Sequence, residues 1–148
     1  LRAPGAGLKV FIGQFLKGGY YSELESLKRF SDLITIQQFG RQGFFKETPL
    51  EGNRSDVCQG LEVAKDKVLS GKYEMIVLDE INVAVAYKLL TVEDVLEVVQ
   101  QKSMETEVIL TSRYADQLLI EAADLVTKMK MVKHYASSGI KPRTGIEK

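Results

Sequence analysis

Residues 1–148 are patterned for an α/β domain built on a mostly parallel, open sheet with helices on both faces. Three observations carry that expectation. Short, β-rich apolar runs recur at 10–16, 34–39, 75–80 and 108–111, each of strand length. Helical apolar spacings separate them, which is the alternation of a parallel sheet with right-handed crossovers. The run at 75–80 ends on two adjacent carboxylates, Asp79 and Glu80, and in open α/β sheets ligands sit beyond the carboxyl ends of the strands.

The elements follow in chain order. Leu1-Arg2-Ala3-Pro4-Gly5-Ala6-Gly7 reads as the last residues of a helix stopped by glycine. Residues 10–16 form an almost continuous apolar run, as a strand buried on both faces requires, and Lys17-Gly18-Gly19 ends it. Leu24 and Leu27 fall at helical spacing within 22–30, with Ser22 as the expected N-cap. Residues 34–39 are a second strand, and the segment 40–52, rich in Gly, Phe and Pro, is a loop. Val57, Leu61, Ala64 and Val68 give one apolar helical face over 55–69, closed by Gly71. After the strand at 75–80, helical patterns run over 83–90 and again from Thr91, where Asp94 at the third helical position completes a capping-box variant. A strand at 108–111 ends at Ser112-Arg113, and a short helix covers 115–122. Residues 125–132 alternate, with Lys128 and Lys130 opposite Met129 and Met131, which predicts a strand near a sheet edge. Residues 137–148 read as loop or tail.

Composition excludes several classes. At 148 residues, 45% hydrophobic and 27% charged, the chain is one globular domain over 1–148. Twenty basic residues balance twenty acidic ones, so there is no global basic footprint for nucleic acid. No apolar run approaches the ~20 residues of a membrane span. Cys58 is the one cysteine, so no internal disulfide can form, and a reducing cytoplasmic setting is expected. Cys58 is expected to be a small packed residue on its helix, and Met129 and Met131 to be core.

Asp79 and Glu80 carry the clearest chemical signal. Paired carboxylates at a strand's carboxyl end suit Mg²⁺, which takes hard oxygen ligands and shares them with nucleotide phosphates. The same acids also fit a turn that simply faces water. One His, His134, makes no metal site by itself.

Several segments together resemble the ATP:corrinoid adenosyltransferases of bacterial cobalamin synthesis and salvage, the P-loop type. Residues 10–18 resemble the family's second strand and its Gln-Phe-x-Lys-Gly exit. Gly43-Phe44-Phe45-Lys46-Glu47-Thr48 resembles its Gly-Phe-x-x-Glu-Thr loop, Val77-Leu78-Asp79-Glu80 its acidic strand end, and Leu110-Thr111-Ser112-Arg113 its Leu-Thr-Gly-Arg turn. Residues 121–127, Val132-Lys133-His134 and Gly145-Ile146-Glu147 resemble its C-terminal signature. The matches keep their order along nearly the whole chain. Three departures stand out. The family's N-terminal strand and Gly-rich Lys-Thr loop have no counterpart in 1–148, and ~30 further residues carrying them are expected upstream. Lys46 stands where many members carry Trp, and Ser112 where they carry Gly.

The resemblance implies a RecA-like P-loop fold and transfer of the 5′-deoxyadenosyl group of ATP to cobalt(I) of a corrinoid, with triphosphate released. Cobalt(I) is itself the nucleophile, so no Ser-His-Asp or Cys-His set is required. It implies that Glu80 and Asp79 hold Mg²⁺ directly or through water. It implies that Arg113 and Lys17 face phosphate, and that Phe44, Phe45 and Lys46 lie against the corrinoid, Phe44 excluding the lower axial ligand. Phe45 fits equally a role pinning the loop to the core. A flavoprotein reductant and a homodimer are expected. Another RecA-like nucleoside triphosphatase and a non-catalytic corrinoid- or nucleotide-binding module are the competing readings.

Overall fold

A computed structural model describes residues 1–41 and 51–146. Four parallel strands form its sheet: β1 (Val10–Phe15), β2 (Ile34–Phe39), β3 (Met75–Asp79) and β4 (Glu107–Leu110), in the order β2-β1-β3-β4. Helix α1 (Arg2–Gly5) precedes β1. Helix α2 (Ser22–Leu27) and a 3₁₀ turn (Lys28–Phe30) join β1 to β2, and α3 (Glu51–Leu69) joins β2 to β3. Helices α4 (Ile81–Ala86) and α5 (Val92–Gln100) lead to β4, and α6 (Gln117–Ala122) follows it.

The strand order fixes where the helices lie. From β1 the chain moves outward to β2, then returns past β1 to β3 and on to β4. Right-handed crossovers taken in opposite directions place their helices on opposite faces of the sheet. Thus α2 lies on one face, and α3 and α5, which pack on each other, lie on the other. The reversal makes the seam between β1 and β3 the topological switch point of the described strands, where ligands of open α/β sheets bind.

Register explains the core. Phe11 pairs with Ile76 and Gly13 with Leu78, so Phe11, Phe15, Ile76 and Leu78 share the face beneath α3, and all four are fully buried. Val57, Leu61, Ala64 and Val68 of α3 meet them, as the helical spacing predicts. Gly60 lets the helix approach β2: a Cβ there would sit 2.5 Å from Phe39 Cγ. The α2 face is less covered, because α2 is one and a half turns long and buries no residue. Ile12, Ile36 and Val77 there are only half-buried.

Several expectations need correction. Ser22 is the first residue of α2, not its cap; Tyr21 takes the cap position and no side chain bonds there. Helix α3 starts at Glu51, four residues before the predicted 55, inside the segment read as loop. The helix predicted over 83–90 is α4, Ile81–Ala86, begun directly from the strand end. The alternating segment 125–132 forms no strand: none of the four strands pairs with it, and Met129 and Met131 are exposed rather than core. Alternation specifies a strand only where a ladder partner completes its hydrogen bonds. Cys58 is exposed, with Sγ 3.9 Å from the Leu89 carbonyl oxygen.

Candidate functional site at the carboxyl rim

β1 delivers Lys17 beyond its end, β3 delivers Asp79 and Glu80, and β4 delivers Thr111, Ser112 and Arg113. Parallel strands in register bring these ends to one rim. Lys17 Nζ donates to Asp79 Oδ2 at 2.8 Å, spanning the β1–β3 seam. Thr111 Oγ1 donates to Asp79 Oδ1 at 2.6 Å, so both oxygens of that carboxylate are engaged. Ser112 Oγ donates to Glu80 Oε2, also at 2.6 Å.

The electrostatics follow. Burial works against the charge on Asp79, but hydrogen bonds from Lys17 and Thr111 and the Lys17 charge outweigh it and hold the carboxyl below its ordinary range. Burial likewise opposes the charge on Lys17; bonding to Asp79 and the negative field of Asp79, Glu23 and Glu80 prevail and raise its pKa. The pair is therefore ionised at neutral pH. Among the described residues, no cation lies within ion-pair distance of Glu80.

Polar residues to which sequence reasoning gave no role build the floor. Gln14, 4% exposed, sits beside Gln38 in the β1–β2 register. Gln38 Nε2 donates to Gln14 Oε1 at 3.1 Å, the Gly19 N–H donates to Gln38 Oε1 at 3.2 Å, and Gln14 Nε2 donates to Glu23 Oε1 at 3.4 Å. Two glutamines interrupting neighbouring apolar strands were the available signal. The loops leaving β1 and β2 touch backbone to backbone: a Cβ on Gly18 would meet the Gly40 carbonyl oxygen at 2.2 Å, so both positions need glycine.

Backbone strain gathers here. Five described non-glycine residues have positive φ, and four lie at the strand ends: Leu16 (58°), Glu80 (64°), Ser112 (145°) and Tyr114 (62°). Strained backbone of this kind concentrates at functional sites.

The rim joins Lys17 to Asp79 directly and ties Asp79 and Glu80 to the successive residues Thr111 and Ser112. Arg113 follows Ser112, exposed, with its guanidinium over the Tyr114 ring at 5.7 Å. Phe44, Phe45 and Lys46 lie outside the described residues. His134 is structural: its Nδ1 accepts the Ala136 N–H at 3.0 Å and caps a 3₁₀ turn (Tyr135–Ser138). Arg143 stacks over Tyr135, and Lys128, Lys130, Lys133 and Lys141 are exposed.

Among the described residues no group of three or more His, Cys, Asp and Glu is placed to hold a metal ion. Mg²⁺ does not need one, since it is commonly held by one or two carboxylates plus substrate phosphates. Glu80, with one oxygen free of protein partners among the described residues, fits that demand.

Fold and rim together define a doubly wound α/β protein with a charged polar cluster at its switch point, the place where ligands of open α/β sheets bind. The family model for ATP:corrinoid adenosyltransferase BtuR/CobO/CobP matches residues 1–147. The chain belongs to this ATP:corrinoid adenosyltransferase family. It is 36% identical over 147 residues to a corrinoid adenosyltransferase of Sinorhizobium sp, covering 95% of this chain and 67% of that protein. It is 34% identical to a corrinoid adenosyltransferase of Pseudomonas aeruginosa, over 99% of this chain and 72% of the relative. For the Escherichia coli K12 corrinoid adenosyltransferase the identity is 31%, over 99% and 74%. Among the described residues, no helix is long and apolar enough to cross a membrane.

Proposed function

We propose that the chain forms the catalytic body of an enzyme that moves the 5′-deoxyadenosyl group of ATP to cobalt(I) of a corrinoid. The observation that carries this reading is the linked set Lys17–Asp79–Thr111 and Glu80–Ser112 at the switch-point rim of a chain matched by the family along its length.

The corrinoid cobalt(I) is substrate and nucleophile. Its electron pair forms the bond to C5′ of ATP while the C5′–O bond breaks, and the departing pair leaves on triphosphate. No proton is removed in this step. The protein's tasks are orientation and stabilisation of charge on the leaving group. Glu80 would hold Mg²⁺, which neutralises phosphate charge when bound. Asp79, tied to Lys17 and Thr111, fixes the strand end beside it. Arg113 offers an exposed guanidinium to phosphate oxygens, and Lys17 adds positive charge at the seam. Phe44, with Phe45 and Lys46, would shield the corrinoid's lower face. A flavoprotein supplies the electron, the enzyme works as a homodimer, and its setting is the cytoplasm.

The test uses the complete gene product with cobalt(I) corrinoid, ATP and Mg²⁺. The expected result is a carbon–cobalt product by absorption spectroscopy and one triphosphate per turnover. Release of phosphate or diphosphate without that product would make the protein an ordinary nucleoside triphosphatase. Binding of both substrates without either reaction would make it a non-catalytic module.

A further inference from the structure

We propose that Ser112 is a positioning residue for Glu80. Its hydroxyl fixes one carboxylate oxygen so that the other faces the divalent cation accompanying the nucleotide. The inference rests on the metal-holding reading of Glu80 and adds a residue to it.

Ser112 occupies backbone that favours glycine, at φ 145°. Serine there is strained, and glycine would be the relaxed choice. The serine nevertheless places its one polar side-chain atom 2.6 Å from Glu80 Oε2. Glu80 is itself left-handed at φ 64°, heading α4 without a capping bond from its side chain. Two strained residues from different strand ends are thus joined side chain to side chain, in a sheet whose register holds β3 and β4 together through Leu78 and Leu110. A carboxylate on a flexible stem loses rotational freedom when one oxygen is tied. The bond selects the Glu80 rotamer before any ligand arrives, and hydrogen-bonded ligating carboxylates hold metals better than free ones. The resemblance places glycine at this turn, so the device belongs to this chain's own sequence.

Mn²⁺ serves as the probe, its binding in the presence of ATP followed by electron paramagnetic resonance of the free ion. Wild type, Ser112→Ala, Ser112→Gly, Glu80→Gln and the Glu80→Gln/Ser112→Ala double variant are compared, with thermal unfolding of each. Both Ser112 variants are expected to weaken Mn²⁺ binding about tenfold. Ser112→Gly is expected to melt above Ser112→Ala, because glycine relieves the backbone. Weakened metal binding in the more stable variant separates positioning from folding. In the Glu80→Gln background, Ser112→Ala should add nothing. Wild-type affinity in both Ser112 variants alongside loss in Glu80→Gln would overturn the role of Ser112 and leave that of Glu80. Unchanged affinity in Glu80→Gln would overturn the metal reading, and this inference with it.

Discussion

Lys17 and Asp79, 62 residues apart in sequence, meet at 2.8 Å across the seam between β1 and β3. Both side chains are about three-quarters buried, at 24% and 27% exposure. Removing one partner of such a pair leaves a poorly solvated charge, which costs more than the pair contributes when intact.

Lys17→Met is therefore expected to lower stability by about 1–3 kcal/mol. Lys17→Met/Asp79→Asn should cost less than the sum of the two single changes. Urea unfolding midpoints over the double-mutant cycle measure this, and additive losses would refute the coupling.

Acid sensitivity should show at the start of α5. The Thr91 N–H donates to Asp94 Oδ2 at 2.9 Å and the Asp94 N–H donates back to Thr91 Oγ1 at 3.2 Å. Hydrogen bonds from the Thr91 side chain and backbone hold the Asp94 carboxyl below its ordinary 3.8. A depressed folded pKa means a contribution fully present above the ordinary value and lost as pH falls through the folded one. Thr91→Ala should cost about 1 kcal/mol at neutral pH. Its deficit should shrink as pH falls below the ordinary 3.8 and the carboxylate is protonated. A deficit independent of pH would show that the Thr91 side chain contributes no charge-dependent stability.

Gly60→Ala tests packing against propensity. Alanine favours a helix by about 1 kcal/mol over glycine. Here its Cβ would sit 2.5 Å from the buried Phe39 ring, and overpacking of this kind costs about 1–3 kcal/mol. Net destabilisation, read from the melting temperature, is expected; net stabilisation would show that Phe39 can give way.

Phe44→Ala addresses the corrinoid shield. Cobalt reduction should slow about tenfold or more, near 1.4 kcal/mol of barrier, while ATP affinity stays within about twofold. Stopped-flow reduction and nucleotide titration separate the two, and equal losses would reduce Phe44 to a loop anchor.

Much of this architecture was legible in residue order. The runs at 10–16, 34–39, 75–80 and 108–111 became β1 to β4 with ends shifted by a residue or so, because a buried parallel strand has to be apolar on both faces. The Thr91 box was readable because capping is local chemistry. Asp79 and Glu80 stood out because two acids ending an apolar strand belong at a rim. Residues 125–132 misled for the opposite reason: their alternation is local, but a ladder needs a neighbour. Ser22 misled because its flanking residue, not its chemistry, sets the helix entry.

The sequence by itself determined the four strands and the main helices, which acids end β3, and which family the motifs resemble, since these are written in local patterns along the chain. Only the tertiary structure decided that Lys17 answers Asp79, that Thr111 and Ser112 each engage one of the two acids, and that Gln14 and Gln38 floor the site. Those contacts depend on strand order and register, which long-range packing sets and no local pattern encodes.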